Sequence, residues 1–201
     1  MLTEADNEIE QMLEYWRGIC GAQLMLAKSA FNPMDVPAAL PHISIHERMS
    51  PTSYIYRIHG TALVSTASGD NTGDDIINAM PEIWRRPLFD IMNTILDLPC
   101  GIREEHILRD PIKGLIHRDG LHLPLANDDG AATFMLSYYP PLHPGDDLAL
   151  SLSREPNSIR EPIGFADLAY IDIGAGIPEF AGQIVAKARE ISDNLLKNGT
   201  S

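Results

Sequence analysis

The sequence predicts an α+β domain: a five-stranded antiparallel sheet with helices on one face, plus a helix at each end of the chain. Three observations carry this. Polar and apolar or aromatic residues alternate in HISIHERM and YIYRIHG, then again in GIREEHILRD, GLIHRDGLHLPLAND and AATFMLSYYP. Between the two groups, Ile83, Trp84, Leu88, Ile91, Met92, Ile95 and Leu96 recur at three- and four-residue spacing. Both ends of the chain carry further amphipathic repeats.

In chain order, Asp6-Asn7 with Glu10 reads as a helix start, followed by the apolar stripe Ile9, Met12, Leu13, Trp16 and Ile19 or Cys20. Such a helix can dock on its own domain or zip against a second copy. Pro33, Pro37 and Pro41 then forbid a long helix. Ser50-Pro51-Thr52-Ser53 turns one strand into the next, and Gly60 ends that hairpin. Short helical turns follow, broken at Gly69 and Gly73. The longer helix is expected to start near Pro87 or kink there. Asp110-Pro111 with Gly114, and Asn127-Asp128-Asp129-Gly130, link the last three strands into a meander. Residues 141–164, rich in Pro, Gly and charge, read as a wrapping loop, followed by a strand at GFADLAYIDIGAG and a helix from Pro178 to Gly199.

At 201 residues the chain suits one domain with long ends: 1–41 a helix and Pro-rich lead-in, 42–140 the domain, 141–201 a loop extension and helix. Lys plus Arg (15) against Asp plus Glu (28) leaves −13, dispersed along the chain, which disfavours nucleic acid and anionic lipid as partners. Cys20 and Cys100 have no second cysteine at metal or redox spacing and read as reduced thiols. The opening MLTEADNEIEQ is acidic where a secretory leader carries Lys or Arg, and no run approaches about 18 apolar residues, so a cytoplasmic protein off the membrane is expected.

YWRGICG (15–21), NPMDVPAALPHISIHE (32–47), YIYRIHGTALV (54–64), Thr72-Gly73 and LPLANDDG (123–130) resemble an uncharacterised bacterial PAS-like family, over about residues 13–140. The element order is also that of PAS domains. The resemblance implies a stand-alone sensory or regulatory module, not an enzyme, that holds a small ligand between sheet and helices and signals through dimer or partner contacts. It leaves the cofactor unknown. The thiol-adduct helix of photoreactive flavin-binding PAS domains is missing, which disfavours flavin photochemistry.

The residues suggest where such a ligand would sit. Tyr54, Tyr56 and Ile58 are expected to share one strand face, and Phe134 and Leu136 another with Tyr138. In IREEHIL, Ile102, Glu104, His106 and Leu108 share a face, so His106 can point into a cavity as an anchor for an anion or a haem iron. The candidate ligand set is Tyr56, Ile58, Trp84, His106, Leu123 and Phe134. His117 and His122 have opposite parity, with His117 on the side of Leu121, Leu123 and Leu125 unless a bulge intervenes. His42 and His46 share a strand face but lack a third metal ligand nearby, so no metal site is expected. His59 reads as a turn residue, and His143 as solvated. No motif for nucleophilic or phosphoryl chemistry occurs, and no catalytic residue is assigned. The alternatives are a homodimeric scaffold joined through the N-terminal helix and, more remotely, a small enzyme with an Asp-His dyad inside a curved sheet.

Overall fold

The computed structural model describes residues 3–66, 69–110, 114–141 and 161–198. Helix α1 (Glu4–Cys20) starts earlier than Asp6-Asn7 suggests, because Thr3 and Asp6 form the reciprocal cap. Thr3 Oγ1 accepts the Asp6 N–H at 3.0 Å, and the Asp6 carboxylate accepts the Thr3 N–H at 2.7 Å. Gly21, at φ 57°, ends the helix. Strand β1 (Leu26–Ala27) follows, then three short turns of 3-10 helix at Lys28–Ala30, Pro33–Asp35 and Leu40–His42, as the prolines require. The hairpin is β2 (Ile43–Ser50) and β3 (Ser53–His59); α2 (Thr61–Thr66) and a turn at Ile76–Ala79 lead to α3 (Glu82–Asp97).

Helix α3 runs through Pro87 rather than starting there. The proline withholds one N–H at about 3 kcal/mol. Six buried side chains, Trp84, Phe89, Ile91, Met92, Ile95 and Leu96, each contribute roughly 1.5–3 kcal/mol against it. Packing therefore wins.

The meander is β4 (Gly101–Asp110), β5 (Gly114–Ala126) and β6 (Ala132–Tyr138); β7 (Glu161–Ile171) and α4 (Ala181–Asn198) complete the described elements. The strands form one sheet in the order β3-β2-β6-β5-β4-β7, with antiparallel neighbours throughout. Strand β1 lies parallel beside the end of β5. The sheet thus has seven strands rather than five: β7 pairs with β4 along nearly its full length and covers what would be a long exposed edge. The wrapping loop read at 141–164, and His143 in it, lie largely outside the described residues.

Helices cover both faces, not one. On the first face α1 buries Ile9, Met12, Leu13 and Trp16 against Ile43, Ile45, Leu121, Leu123, Leu125, Leu136 and Tyr138. On the second, α3 and α4 pack on Tyr54, Ile102, Met135, Phe165 and Leu168. The apolar stripe of α1 is consumed within the chain, with Trp16 only 2% exposed, so it is not a surface on which a second copy could zip.

Candidate functional site

The α3-covered face of the sheet is apolar at its rim and polar at its centre. Strict alternation places His46 of β2, Ser137 of β6, His122 of β5, and Glu104 and His106 of β4 side by side beneath α3. All but His106 are among the buried polar groups, at 6% exposure or less. Burial on this scale requires partners.

The partners are each other. His122 Nε2 lies 2.6 Å from Glu104 Oε1, and His106 Nε2 lies 3.1 Å from the same oxygen. His122 Nδ1 is 2.7 Å from Ser137 Oγ, which is 3.5 Å from His46 Nδ1. Gly120 sits opposite Glu104 in the ladder, and a Cβ there would lie 3.1 Å from the Glu104 side chain and 2.9 Å from Tyr139. Its missing side chain is what lets the carboxylate reach across to His122.

Burial disfavours the Glu104 anion, but the His106 and His122 imidazoles outweigh it and leave the carboxyl below its usual range. Burial likewise holds His106 below the ordinary histidine value, helped by His122 and Arg118 and opposed by Glu104. Burial, then the neighbouring His122 and His59, push His46 down to about 3. The state we assign is an ionised Glu104 beside neutral His46 and His106.

An ionised carboxylate only accepts, so His122 donates to Glu104 from Nε2, and its Nδ1 lies against the Ser137 hydroxyl. The neutral His46 ring hydrogen-bonds the Met135 backbone and lies with Nδ1 3.5 Å from Ser137 Oγ; with its hydrogen on Nδ1, Nε2 carries a bare lone pair. Among the described residues His46 Nε2 is buried with no hydrogen-bond partner.

A cavity of about 50 Å³ opens beside these groups, roofed by Met80, Leu88, Ile91, Met92 and Ile95 and also lined by Tyr56, Met135 and Tyr139. It has room for a handful of non-hydrogen atoms. Burial pushes the Tyr56 hydroxyl up to about 12. The Tyr56 ring is 4.4 Å from the His46 ring and 5.1 Å from that of His59. His59 Nδ1 accepts the Asn71 N–H at 3.2 Å, in keeping with a turn residue.

Of the six residues singled out in the sequence, the structure brings Tyr56 and His106 to this cavity. Leu123 and Phe134 face the α1 side. Ile58 joins them there: Ile45 pairs with Ile58 but His46 with Tyr56, so a bulge at Arg57 breaks the shared face expected for Tyr54, Tyr56 and Ile58. Trp84 packs edge-on against Phe165 and donates its indole N–H to the Ile163 carbonyl at 2.8 Å, away from the cavity lining. Sequence reasoning passed over Glu104, His122, Ser137 and Tyr139. The signal was present in the β4–β5 turn, whose register sets Ile102 opposite His122 and so brings Glu104 alongside it. His117 is exposed, 2.6 Å from Glu105 on the outer face.

Ser137, His122 and Glu104 have the spacing of an acyl-transfer relay, yet Ser137 lies on a central strand paired on both sides. Its backbone N–H groups are committed to the ladder and cannot form an oxyanion hole. A larger open groove, about 580 Å³, runs between α3 and α4. Its rim charges pair locally, Arg86 with Asp90 and Lys187 with Glu190, each at 2.9 Å, and it offers no buried uncommitted polar group. Among the described residues, no group of three or more His, Cys, Asp or Glu is placed to hold a metal ion, and no helix is long and apolar enough to cross a membrane.

No family model matches the chain, and no curated protein matches it. Among solved structures, a sensory box histidine kinase/response regulator from Burkholderia thailandensis E264 is similar over 62% of this chain and 96% of that one, at 12% identity and a TM-score of 0.36.

Proposed function

We propose that the protein is a stand-alone PAS-like sensory or regulatory module that binds a small ligand beneath α3 and reports it to a partner. The observation that supports this most is a cavity with His46 Nε2 on its wall, buried and without a hydrogen-bond partner among the described residues. Leaving that acceptor unpaired costs about 1–3 kcal/mol, which a ligand's donor would recover. The PAS resemblance of residues 13–140 implies a ligand held between sheet and helix, as a ligand here would be.

Signalling follows from the cavity's walls. A ligand touches α3 and the β2–β3 hairpin at once, and whichever arrangement it binds better becomes more populated. Partner contacts then change at the outer surfaces of those elements. Dimerisation through the apolar stripe of α1 is no part of this reading, since that stripe is buried. Cys20 and Cys100 are both free and buried, which suits a reducing, cytoplasmic setting.

The test is hydrogen exchange and thermal unfolding of the full chain, with and without small metabolites recovered from cell extract. The expected result is a compound that raises the unfolding temperature and protects β2, β6 and α3, and does neither in a Leu88→Trp variant with the cavity filled. No stabilising compound, or one that acts equally on Leu88→Trp, would contradict the reading.

A further inference from the structure

The proposed ligand's chemistry is set by the direction of the hydrogens in the relay, so this inference rests on the cavity being a binding site. His106 Nε2–H and His122 Nε2–H both point at the Glu104 carboxylate, and His46 turns Nδ1 toward Ser137 and the Met135 backbone. A neutral His46 with its hydrogen there presents an acceptor at Nε2 on the cavity wall, in a residue 2% exposed and with no partner at that atom among the described residues. The opposite wall, Leu88, Ile91, Met92 and Ile95, offers only apolar contact. His106, read from sequence as an anchor for an anion, instead spends its Nε2 hydrogen on Glu104.

We infer that the cavity selects a small neutral molecule with a hydrogen-bond donor, an amide N–H or a hydroxyl, presented to His46 Nε2 with a short apolar end toward α3, and that it discriminates against carboxylates. A carboxylate would meet the lone pair of His46 and the field of the ionised Glu104, which together disfavour a buried anion. A neutral molecule without a donor would fit by shape but leave His46 Nε2 unpaired.

Acetamide, acetone and acetate share one planar heavy-atom frame and separate these cases. The experiment titrates each into the full chain and follows the methyl resonances of Met80, Met92 and Met135, which line the cavity. Acetamide is expected to bind about tenfold more tightly than acetone, the worth of one buried hydrogen bond, with acetate weakest. His46→Leu is expected to bring acetamide and acetone level. Ser137→Ala, a smaller change, releases the tautomer of His46 and is expected to reduce the same preference. Acetate binding as well as acetamide, or acetone equalling acetamide in the unmutated chain, overturns the inference while leaving the cavity a binding site. If none of the three moves the methionine methyls, the cavity reading itself fails.

Discussion

His122 Nε2 lies 2.6 Å from Glu104 Oε1, and this contact joins the chemistry of the cavity to the register of β5 on β4. A one-residue slip of β5 would send His122 to the α1 face and leave Glu104 without it. The buried pair and the strand pairing therefore specify each other.

Stability should fall steeply in mild acid. His46, held near 3 by burial and then by His122 and His59, and His106, lowered first by burial, are neutral in the fold but take up protons on unfolding below 6.5. The unfolded chain then binds more protons, so stability rises with pH; the contribution is complete above 6.5 and drains as pH falls toward the folded values. Glu104 acts in the same direction, its contribution present above 4.5 and lost below. Urea unfolding stepped from above 6.5 down to 4.5 is expected to lose about 1.4 kcal/mol per pH unit for each such histidine. His46→Phe is expected to flatten the slope, and a level profile in the unmutated chain would contradict the assignment.

Gly60→Ala is expected to cost more than about 2 kcal/mol. A Cβ at Gly60 would lie 2.3 Å from the Pro41 carbonyl oxygen and 2.8 Å from that of Ile43, both backbone atoms that side-chain motion cannot clear. The Gly60 N–H also donates to Ile43 at 2.9 Å, so the chain cannot simply move away. The denaturation midpoint measures this, and a change within about 0.5 kcal/mol would refute it.

Helix α1 should behave as core. Trp16→Ala removes a side chain 2% exposed among Ile43, Leu121 and Leu136 and is expected to cost 3–5 kcal/mol, roughly, with the midpoint independent of protein concentration. Glu14→Arg on the exposed side is expected to be nearly silent. A concentration-dependent midpoint for Trp16→Ala would return the stripe to an interface.

Cys20 and Cys100 should resist thiol reagents in the native state. Burial pushes both thiols up to about 11, leaving little thiolate near neutrality. Labelling is expected to track unfolding, appearing together with loss of near-ultraviolet signal; fast native labelling of either residue would show an opening the fold does not contain.

Much of this fold was legible in the sequence. The hairpin at 42–60, the helix carrying Trp84 to Leu96, the three-stranded meander and the terminal helices all follow from periodicity and turn residues, which are local signals. The face shift at Arg57 was not legible, because a bulge depends on pairing with β2 rather than on anything within YIYRIH. Nor was the burial of the α1 stripe: an amphipathic helix looks the same whether it docks on its own sheet or on another chain. The site fell between these cases. His106 could be assigned to the inner face by parity, but its partner Glu104 and the His122 to Ser137 contact need three strands in register, and Gly120 opposite Glu104 gains meaning only then.

The most direct measurement is of the imidazole tautomers, by long-range nitrogen–proton correlation spectra of the histidine-labelled full chain above pH 6.5. The expected result is a hydrogen at Nε2 of both His106 and His122, and a neutral His46 protonated at Nδ1 with a bare Nε2. A His46 hydrogen on Nε2 would contradict a cavity built to accept a donor.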